Sequence, residues 1–599
     1  MYTFRVWAPN AENLAVQIGP AAQANQAGYP MQKAERGWWS ATVPDAGPGV
    51  EYRFAIDGGE ALPDPRSEWQ PQGIHGPSCI VDHGAFAWSD QHWQAPPLGA
   101  AIIYELHIGT FTRHGTFTAA IERLDYLRGL GVTHIELMPV NEFSGRAGWG
   151  YDGVDLFAPH HAYGSPDDLK ALVDACHRKG LAVLLDVVYN HLGPVGNYLP
   201  RFGPYFNDTY HTPWGPAVNL DGAGSFEVRR FFRDNALMWL RDYHFDGLRL
   251  DAVHAFFDRS AIHFLEYLSE EVKRLAAETG RHLVLIAESD LNDPRVVTSR
   301  EANGYGVDAQ WSDDFHHALH TVLTGEQSGY YEGFGTIALL AKTLQHVFAF
   351  NGNYSDHRER VHGRPVNGLP GDRFLAYIQN HDQVGNRARG ERLSHLVSIG
   401  NQKIAAALVL TAPYVPMLFQ GEEFSASTPF LYFTQHEDPE LGRSVSEGRR
   451  SEFRGFGWNP EDVPDPQDPS TFERSKLKWE EIDTGVHKEM LHWYRKLIDL
   501  RRRSTALKDS RLSEVRVTFD ETAKWLIVQR GNLQIACNLA SDRHALPMKG
   551  CPGPILCSEK DFSLRPGLIE LPGESVAIIE TTQRESISVS TRPDEPLGT

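Results

Sequence analysis

Residues 245–255 read FDGLRLDAVHA and place two opposite charges, Arg249 and Asp251, two positions apart among aliphatic neighbours. The stretch opens on a turn-like Asp246-Gly247 and continues as a short strand. Side chains i and i+2 of a strand share a face, so Arg249 and Asp251 point one way while Leu248 and Leu250 point the other. If the leucines pack on helices, the charges face the interior of a sheet, where burial is costly unless they are paired or used. A structural ion pair at a strand end meets that requirement as well as a catalytic pair does. The choice rests on whether other strands deliver carboxylates to the same place.

Outward from this stretch, short apolar runs recur: 101–106 (AIIYEL), 132–138 (VTHIELM), 181–188 (LAVLLDVV), 283–287 (LVLIA), 307–311, 374–378 and 415–419. Amphipathic segments separate them. One follows Ser165-Pro166-Asp167-Asp168, where Ser165 can cap, Pro166 suits the first helical position and Asp168 lies three beyond the cap. Leu169, Leu172, Val173 and Cys176 then form one apolar face, and Gly180 is placed to end the helix. Strands alternating with helices predict an α/β chain whose central unit, residues 96–505, is a (β/α)8 TIM barrel with long loop insertions. The insertion at about 190–224 reads as an ordered lid, and 325–372 as a second excursion. Residues 1–95 read as an N-terminal β-sandwich of a carbohydrate-binding type, with 62–78 as a connection. Residues 506–585 read as a C-terminal β-sheet domain, and 586–599 as a mobile tail.

Composition narrows the partners. The formal net charge of -20, from 57 Lys plus Arg against 77 Asp plus Glu, disfavours nucleic acid and anionic membranes and suits a neutral ligand. Aromatic residues make up 11%, enough to supply stacking platforms for sugar rings. Cys79, Cys176, Cys537, Cys551 and Cys557 are scattered and odd in number, which argues against a disulfide framework. No spacing joins them as metal ligands, no cofactor motif occurs, and no apolar run reaches membrane-spanning length. A cytoplasmic enzyme without cofactor or metal is expected, its oligomeric state left open.

Acidic residues sit repeatedly at strand ends. Asp186 ends the third run, Asp251 the fourth, Glu288 follows the fifth and Asp382 the seventh. In this barrel, residues at the C-terminal strand ends meet in the active site. Glycoside hydrolysis needs a carboxylate that attacks and a protonated acid that assists the leaving oxygen, about 5–5.5 Å apart in a retaining enzyme. Asp251, beside Arg249, is expected to be the ionised nucleophile. Glu288, surrounded by Asp251 and Asp382, is expected to be the acid.

DVVYNH (186–191), GLRLDAVH (247–254), IAES (286–289) and NHDQVGN (380–386), in this order, resemble the four characteristic motifs of the α-amylase family of glycoside hydrolases. The resemblance implies Asp251 as nucleophile, Glu288 as acid/base and Asp382 as transition-state stabiliser. It also implies Tyr151, His191, Arg249, His254 and His381 as substrate-binding or supporting residues, with α-glucan oligosaccharides as substrates. Arg387, Trp214, Trp311, Tyr330 and Tyr331 are candidates for sugar subsites, with core packing the equal alternative. Some amylases bind calcium near the lid, but here only Asn207-Asp208 and Asp221 offer oxygens. Segments such as ELMPVNEFSGRAGWGYDG and AESDLNDPR narrow the resemblance to members that hydrolyse the α-1,4 bond beside a terminal trehalose unit. Glycogen branching or debranching is the alternative, and a non-catalytic carbohydrate-binding protein is the reading from another class.

Overall fold

The computed structural model describes residues 1–19, 28–455, 459–549 and 551–582. The reading of 586–599 as a tail lies outside them. Eight parallel strands close into a barrel: β1 (Ile103–Leu106), β2 (His134–Leu137), β3 (Ala182–Val187), β4 (Gly247–Leu250), β5 (Val284–Ala287), β6 (Ala309–Trp311), β7 (Phe374–Ala376) and β8 (Val415–Phe419), with β8 pairing back onto β1. Each falls within a run singled out in the sequence.

Alternation along β4 sorts its side chains as expected. Leu248 and Leu250 are fully buried in the outer core with Phe232, Trp239 and Leu268 of the surrounding helices. Inside the barrel, Ile103, Leu184, Ile286, Ala309, Leu375 and Met417 make an apolar plug. Above it, towards the C-terminal strand ends, the apolar filling gives way to Glu105, Glu136, Asp186 and Arg249, all buried. The crossover helix Pro166–Arg178 has the capping box its sequence predicts. Ser165 Oγ accepts from Asp168 N–H at 3.2 Å, and Asp168 Oδ2 accepts from Ser165 N–H at 2.8 Å. Between β1 and β2 three short helices, Ile108–Phe111, Phe117–Ile121 and Leu124–Leu130, fill the crossover.

The excursions are ordered. The insertion after β3 carries a helix, Leu199–Phe202, and a two-stranded hairpin, Phe206–Thr212 with Gly215–Val218. The region between β6 and β7 holds the helix Ile337–His346 and a hairpin, Asn353–Ser355 with Arg360–His362. A helix that sequence reading passed over, Pro439–Gly455, lies in the loop after β8.

N-terminal to the barrel, a three-stranded sheet built on Tyr2–Trp7 and Trp38–Val43 accompanies a five-stranded one built on Leu14–Ile18 and Glu51–Ile56. Trp39 is buried between strands and Trp38 is half-buried. The connection at 62–78 is structured: Asp64, Ser67 and Gln70 are buried, and Ser78–Cys79 adds an edge to the second sheet. At the other end, Val515–Asp520, Trp525–Arg530, Leu533–Asn538, Ser575–Thr582 and Cys551–Cys557 form a five-stranded sheet beside a three-stranded one.

Asp246, read as a turn residue, is instead a buried junction at the barrel floor. Its carboxylate accepts from Trp93 Nε1 (2.9 Å), His177 Nε2 (3.0 Å), Arg281 Nη2 (3.1 Å) and the Val183 N–H (2.9 Å), so it ties the segment entering the barrel to β3 and β4. Burial works against its charge, yet the His177 hydrogen bond and the charges of His177 and Arg281 hold Asp246 below the usual 3.8. Burial likewise opposes the His177 charge, but Asp246 and Asp90 raise that imidazole above 6.5. A depressed carboxylate contributes stability that is lost as pH falls through its folded value. A raised histidine contributes stability that is lost as pH rises through its own. The pair is therefore fully stabilising between the two ordinary values of 3.8 and 6.5. Asp246→Asn is expected to cost about 3–5 kcal/mol in that window. Urea unfolding at a series of pH values should show the penalty shrinking on the alkaline side.

Candidate active site

Arg249 rises from β4 into the barrel mouth and is 0% exposed. Its Nη1 donates to Asp186 Oδ2 at 2.5 Å and to Asp251 Oδ1 at 3.0 Å. Its Nη2 lies 2.7 Å from Glu288 Oε2, an ion pair off the N–H direction. Trp311 covers the guanidinium face at 4.2 Å and Tyr151 flanks it at 6.0 Å. Burial opposes the charge, but Asp186 and Glu288 push its pKa well above the ordinary arginine value. The guanidinium is thus shared, where the sequence suggested a partner for Asp251 alone. Glu288 has a cation beside it as well as carboxylates.

The ends of β4 and β5 are laced together. Asp251 follows β4 and is 8% exposed. Its Oδ2 and its carbonyl both accept from Asn190 Nδ2, at 2.6 and 3.0 Å. Ala252 then adopts a left-handed conformation (φ 42°, ψ 51°), which aims its N–H at Glu288 Oε2, 2.8 Å away. The backbones reciprocate: Glu288 N–H donates to Leu250 O at 3.0 Å, and Val253 N–H donates to Glu288 O at 2.9 Å. Both carboxylates are therefore fixed by main chain as well as by Arg249.

From Asp186 the network continues away from β4. Tyr151 donates to Asp186 Oδ2 at 2.6 Å and stacks on His381 with ring centres 5.0 Å apart. The His381 Nε2–H donates to Tyr151 Oη at 2.7 Å, and its Nδ1–H to Glu105 Oε1 at 2.5 Å. Burial alone would lower the His381 pKa, but the Glu105 charge and hydrogen bond lift it to about 9, so it carries a proton at neutral pH. Burial lifts Asp186 to about 7 against the pull of Arg249. Glu105 and Glu136 were not singled out in the sequence. The signal was available, since an acid inside AIIYEL or VTHIELM is as anomalous as Asp186 inside LAVLLDVV.

Asp382 lies in the first turn of the short helix His381–Gly385, capped by Asn380, whose side chain accepts from Gln383 N–H at 2.7 Å. Its side chain is 38% exposed, far more open than Asp251, and Oδ1 accepts from Asn386 Nδ2 at 3.1 Å. The helix packs so closely that a Cβ on Gly385 would stand 2.1 Å from the Trp149 ring. Gly150 (φ +98°) lets the loop after β2 fold back on Pro139, whose carbonyl would be 2.2 Å from a Cβ there, and so carries Tyr151 into the mouth.

Other expected residues are placed less uniformly. His191 is buried and lowered to about 4 by that burial, and it stacks on Trp214, the exposed indole at the tip of the inserted hairpin, with ring centres 4.6 Å apart. His254 is exposed on the turn after Asp251. Trp311 is a buried cover for Arg249 and Tyr331 is buried, so both are core, whereas Tyr330 is 38% exposed. Arg387 is committed to Glu326 through bonds of 2.8 and 2.7 Å and approaches Glu391 at 3.6 Å, because a half-buried guanidinium needs counter-charge. Asp313, also missed, hydrogen-bonds Tyr377 and is raised to about 7 by burial and by Glu288.

Of the lid oxygens considered for calcium, those of Asp221 accept from Asn207 Nδ2 at 3.1 Å, from Tyr210 Oη at 3.0 Å and, beyond the lid, from Arg259 N–H at 3.1 Å. Among the described residues, the group spaced for a metal is Glu142, His160 and His161 in the loop after β2. There Glu142 Oε1 lies within hydrogen-bond distance of both imidazole Nδ1 atoms, at 3.2 and 2.8 Å.

The chain is 48% identical to the malto-oligosyltrehalose trehalohydrolase of Rhizobium sp. (strain M-11) over 96% of its length and 97% of that protein. It is 49% identical to the enzyme of the same name from Arthrobacter ramosus, covering 91% of this chain and 94% of that one. The chain belongs to the malto-oligosyltrehalose trehalohydrolase family. Family models match in sequence order: carbohydrate-binding module 48 (isoamylase N-terminal domain) at 1–70, the alpha amylase catalytic domain at 85–203, and a domain of unknown function at 510–578. The crystal structure of a Salmonella typhimurium protein assigned as an alpha amylase superposes with a TM-score of 0.88 at 38% identity, covering 97% of both chains. The (β/α)8 barrel with flanking β domains is thus the family fold, and the chain is a glycoside hydrolase.

Glu136 distinguishes this site from a simple row of ion pairs. Both its carboxyl oxygens are buried without a hydrogen-bond partner, beside Glu105 on the paired strand. Burial, then the charges of Glu105 and Asp186, raise it well above 4.5 and keep it neutral. A raised carboxyl contributes stability that is lost as pH rises from its unfolded value through the folded one. Glu136→Gln, neutral at every pH, should match the wild-type urea midpoint at pH about 4 and exceed it increasingly towards pH about 8; a constant gap would sink the assignment.

Proposed function

We propose that the chain hydrolyses the α-1,4-glucosidic bond next to the terminal trehalose unit of maltooligosyltrehalose, with retention, releasing trehalose and a shorter maltooligosaccharide. The observation that carries the reading is the pair Asp251 and Glu288, on neighbouring strand ends around one buried guanidinium. Asp251 attacks the anomeric carbon as Glu288 gives its proton to the glycosidic oxygen, and trehalose leaves. Water then attacks the glycosyl-enzyme ester, Glu288 takes its proton, and Asp251 is freed. Arg249 holds one Asp251 oxygen and Asn190 the other, which fixes the aim of the carboxylate. Asp382, the most open of the three carboxylates, meets sugar hydroxyls and the charge that develops on the ring.

Tyr151 and His191, with His254 at the rim, bind the sugar ring at the cleaved bond, and His381 steadies Tyr151 and Asp382. Arg387 acts through its pair with Glu326 rather than by direct contact. Glycogen branching or debranching is not favoured by relatives that span nearly the whole chain under the trehalohydrolase name. A cytoplasmic location fits the free thiols of Cys79, Cys176, Cys537 and Cys557, and no helix among the described residues is long and apolar enough to cross a membrane.

Product analysis tests the activity: free trehalose from maltooligosyltrehalose is expected, and altered α-1,6 branching of glycogen would replace this reading with the alternative. Glu288→Gln should lower kcat about 10²–10⁴-fold in a steady-state assay of trehalose release. Asp251→Asn should abolish turnover while leaving substrate binding measurable.

A further inference from the structure

The loop after β2 turns back on itself as a hairpin, Asn141–Phe143 against Gly153–Pro159, and its turn carries Trp149 and Tyr151. Three side chains with metal-binding atoms meet at its base. Glu142 comes from the first strand, and His160 and His161 directly follow the second. One ligand atom from each lies within 4.8 Å of the other two, a spacing that no other such group among the described residues shares. We propose that Glu142, His160 and His161 form a binding site for one divalent transition-metal ion of the zinc class, which clasps the base of the hairpin that presents Tyr151.

The donor set decides the class of ion. Two imidazole nitrogens and one carboxylate oxygen suit Zn²⁺ or Co²⁺, whereas Ca²⁺ and Mg²⁺ take oxygen donors. With bonds of about 2.0–2.2 Å and tetrahedral angles, neighbouring donor atoms stand about 3.3–3.5 Å apart. Glu142 Oε1 is already 3.2 Å from His160 Nδ1 and 2.8 Å from His161 Nδ1. Only the second edge has to open, by about half an ångström, to reach the tetrahedral spacing. An ion at that point takes the place of the protons that the two Nδ1 atoms otherwise offer to Oε1, and each imidazole then carries its proton on Nε2.

The ligands are positioned by the fold. His160 stacks on Phe143 with ring centres 3.8 Å apart, and its backbone N–H donates to Val140 O at 2.7 Å. The His161 backbone N–H donates to Glu142 Oε2 at 2.7 Å, which leaves Oε1 for the ion. The side chains of Glu142 and His160 are fully buried, whereas that of His161 is 21% exposed and gives the ion a path from solvent. A carboxylate so deeply desolvated needs counter-charge, and a divalent ion supplies it with both imidazoles neutral.

A second observation points to the same place. Asp155 faces Glu142 across the hairpin, and directly opposed residues put their side chains on one face of the pair. Asp155 is 4% exposed, and its Oδ2 has no hydrogen-bond partner among the described residues. Hydrogen bonding inside the trio does not account for that oxygen. An ion with three protein ligands keeps a fourth position for water, and a water held there gives Asp155 Oδ2 a donor.

The readout is the ion itself and needs no turnover. The full chain, freed of metal by chelator and dialysis, is titrated calorimetrically with Zn²⁺, and its unfolding is followed at increasing free Zn²⁺. Wild type is expected to bind one Zn²⁺ per chain with a Kd at or below about 10 µM. Its unfolding midpoint should climb with the logarithm of free Zn²⁺. His161→Ala, at the partly exposed ligand, and Glu142→Gln should each lose at least about tenfold in affinity. His161→Cys, which returns a donor to the same place, should recover affinity that His161→Ala lacks. Co²⁺ on wild type should show the intense visible bands of a four-coordinate ion, lost in His161→Ala. If the buried Glu142→Gln does not fold, wild type and the two His161 variants decide alone. Absence of saturable Zn²⁺ binding, or binding that His161→Ala leaves unchanged, overturns the proposal; tighter binding of Ca²⁺ than of Zn²⁺ overturns the choice of ion.

Discussion

A fully desolvated guanidinium in the barrel mouth is the constraint on which the site depends. Removing a cation from water costs several kcal/mol after relaxation, and only close counter-charge with good geometry repays it. Arg249 obtains this from Asp186, Asp251 and Glu288, each delivered by a different strand, with Trp311 closing one face. The same electrostatic debt extends outward: Asp186 engages Tyr151, Tyr151 engages protonated His381, and His381 engages Glu105. Two buried cations thus hold a ring of acids at fixed positions, and the acid left over, Glu136, is neutral. Strand alternation makes this arrangement obligatory, because a one-residue slip of β4 would turn Arg249 to the helices and the leucines to the mouth.

Much of this was legible in the chain. Short apolar runs separated by amphipathic segments located all eight strands, and an acid at the end of an apolar run located Asp251 and Glu288. What stayed hidden was three-dimensional sharing. Nothing in GLRLDAVH and IAES says that Arg249 serves both motifs, since the contact depends on the register of β4 against β5. Exposure was hidden for a related reason. Trp311 and Arg387 carry groups that suit a sugar site, yet the cation beneath Trp311 and the carboxylate beside Arg387 come from residues 62 and 61 positions away. Asp246 was read from its Asp-Gly signature as a turn, and the competing burial of its carboxylate could not be seen without β3 and Trp93 beside it.

The layout separates two jobs. Strand ends, whose positions the barrel fixes, carry the carboxylates. Loops after β2 and β3 carry Tyr151 and Trp214. The inserted hairpin is held to the barrel mouth by two stacked contacts, Trp214 on His191 and Tyr210 on Phe257, and its base by Asp221.

Gly385 carries a consequence of a different kind. The helix bearing Asp382 rests against the Trp149 indole with no room for even a methyl group between them. Position 385 touches no sugar and carries no charge, yet any side chain there would push the helix outward and take Asp382 with it. In mutational terms the position is as closed to drift as the carboxylates themselves, and it is closed by volume rather than by chemistry. A lineage exploring new substrates can rebuild the loops freely, but it inherits this contact as a fixed hinge pin.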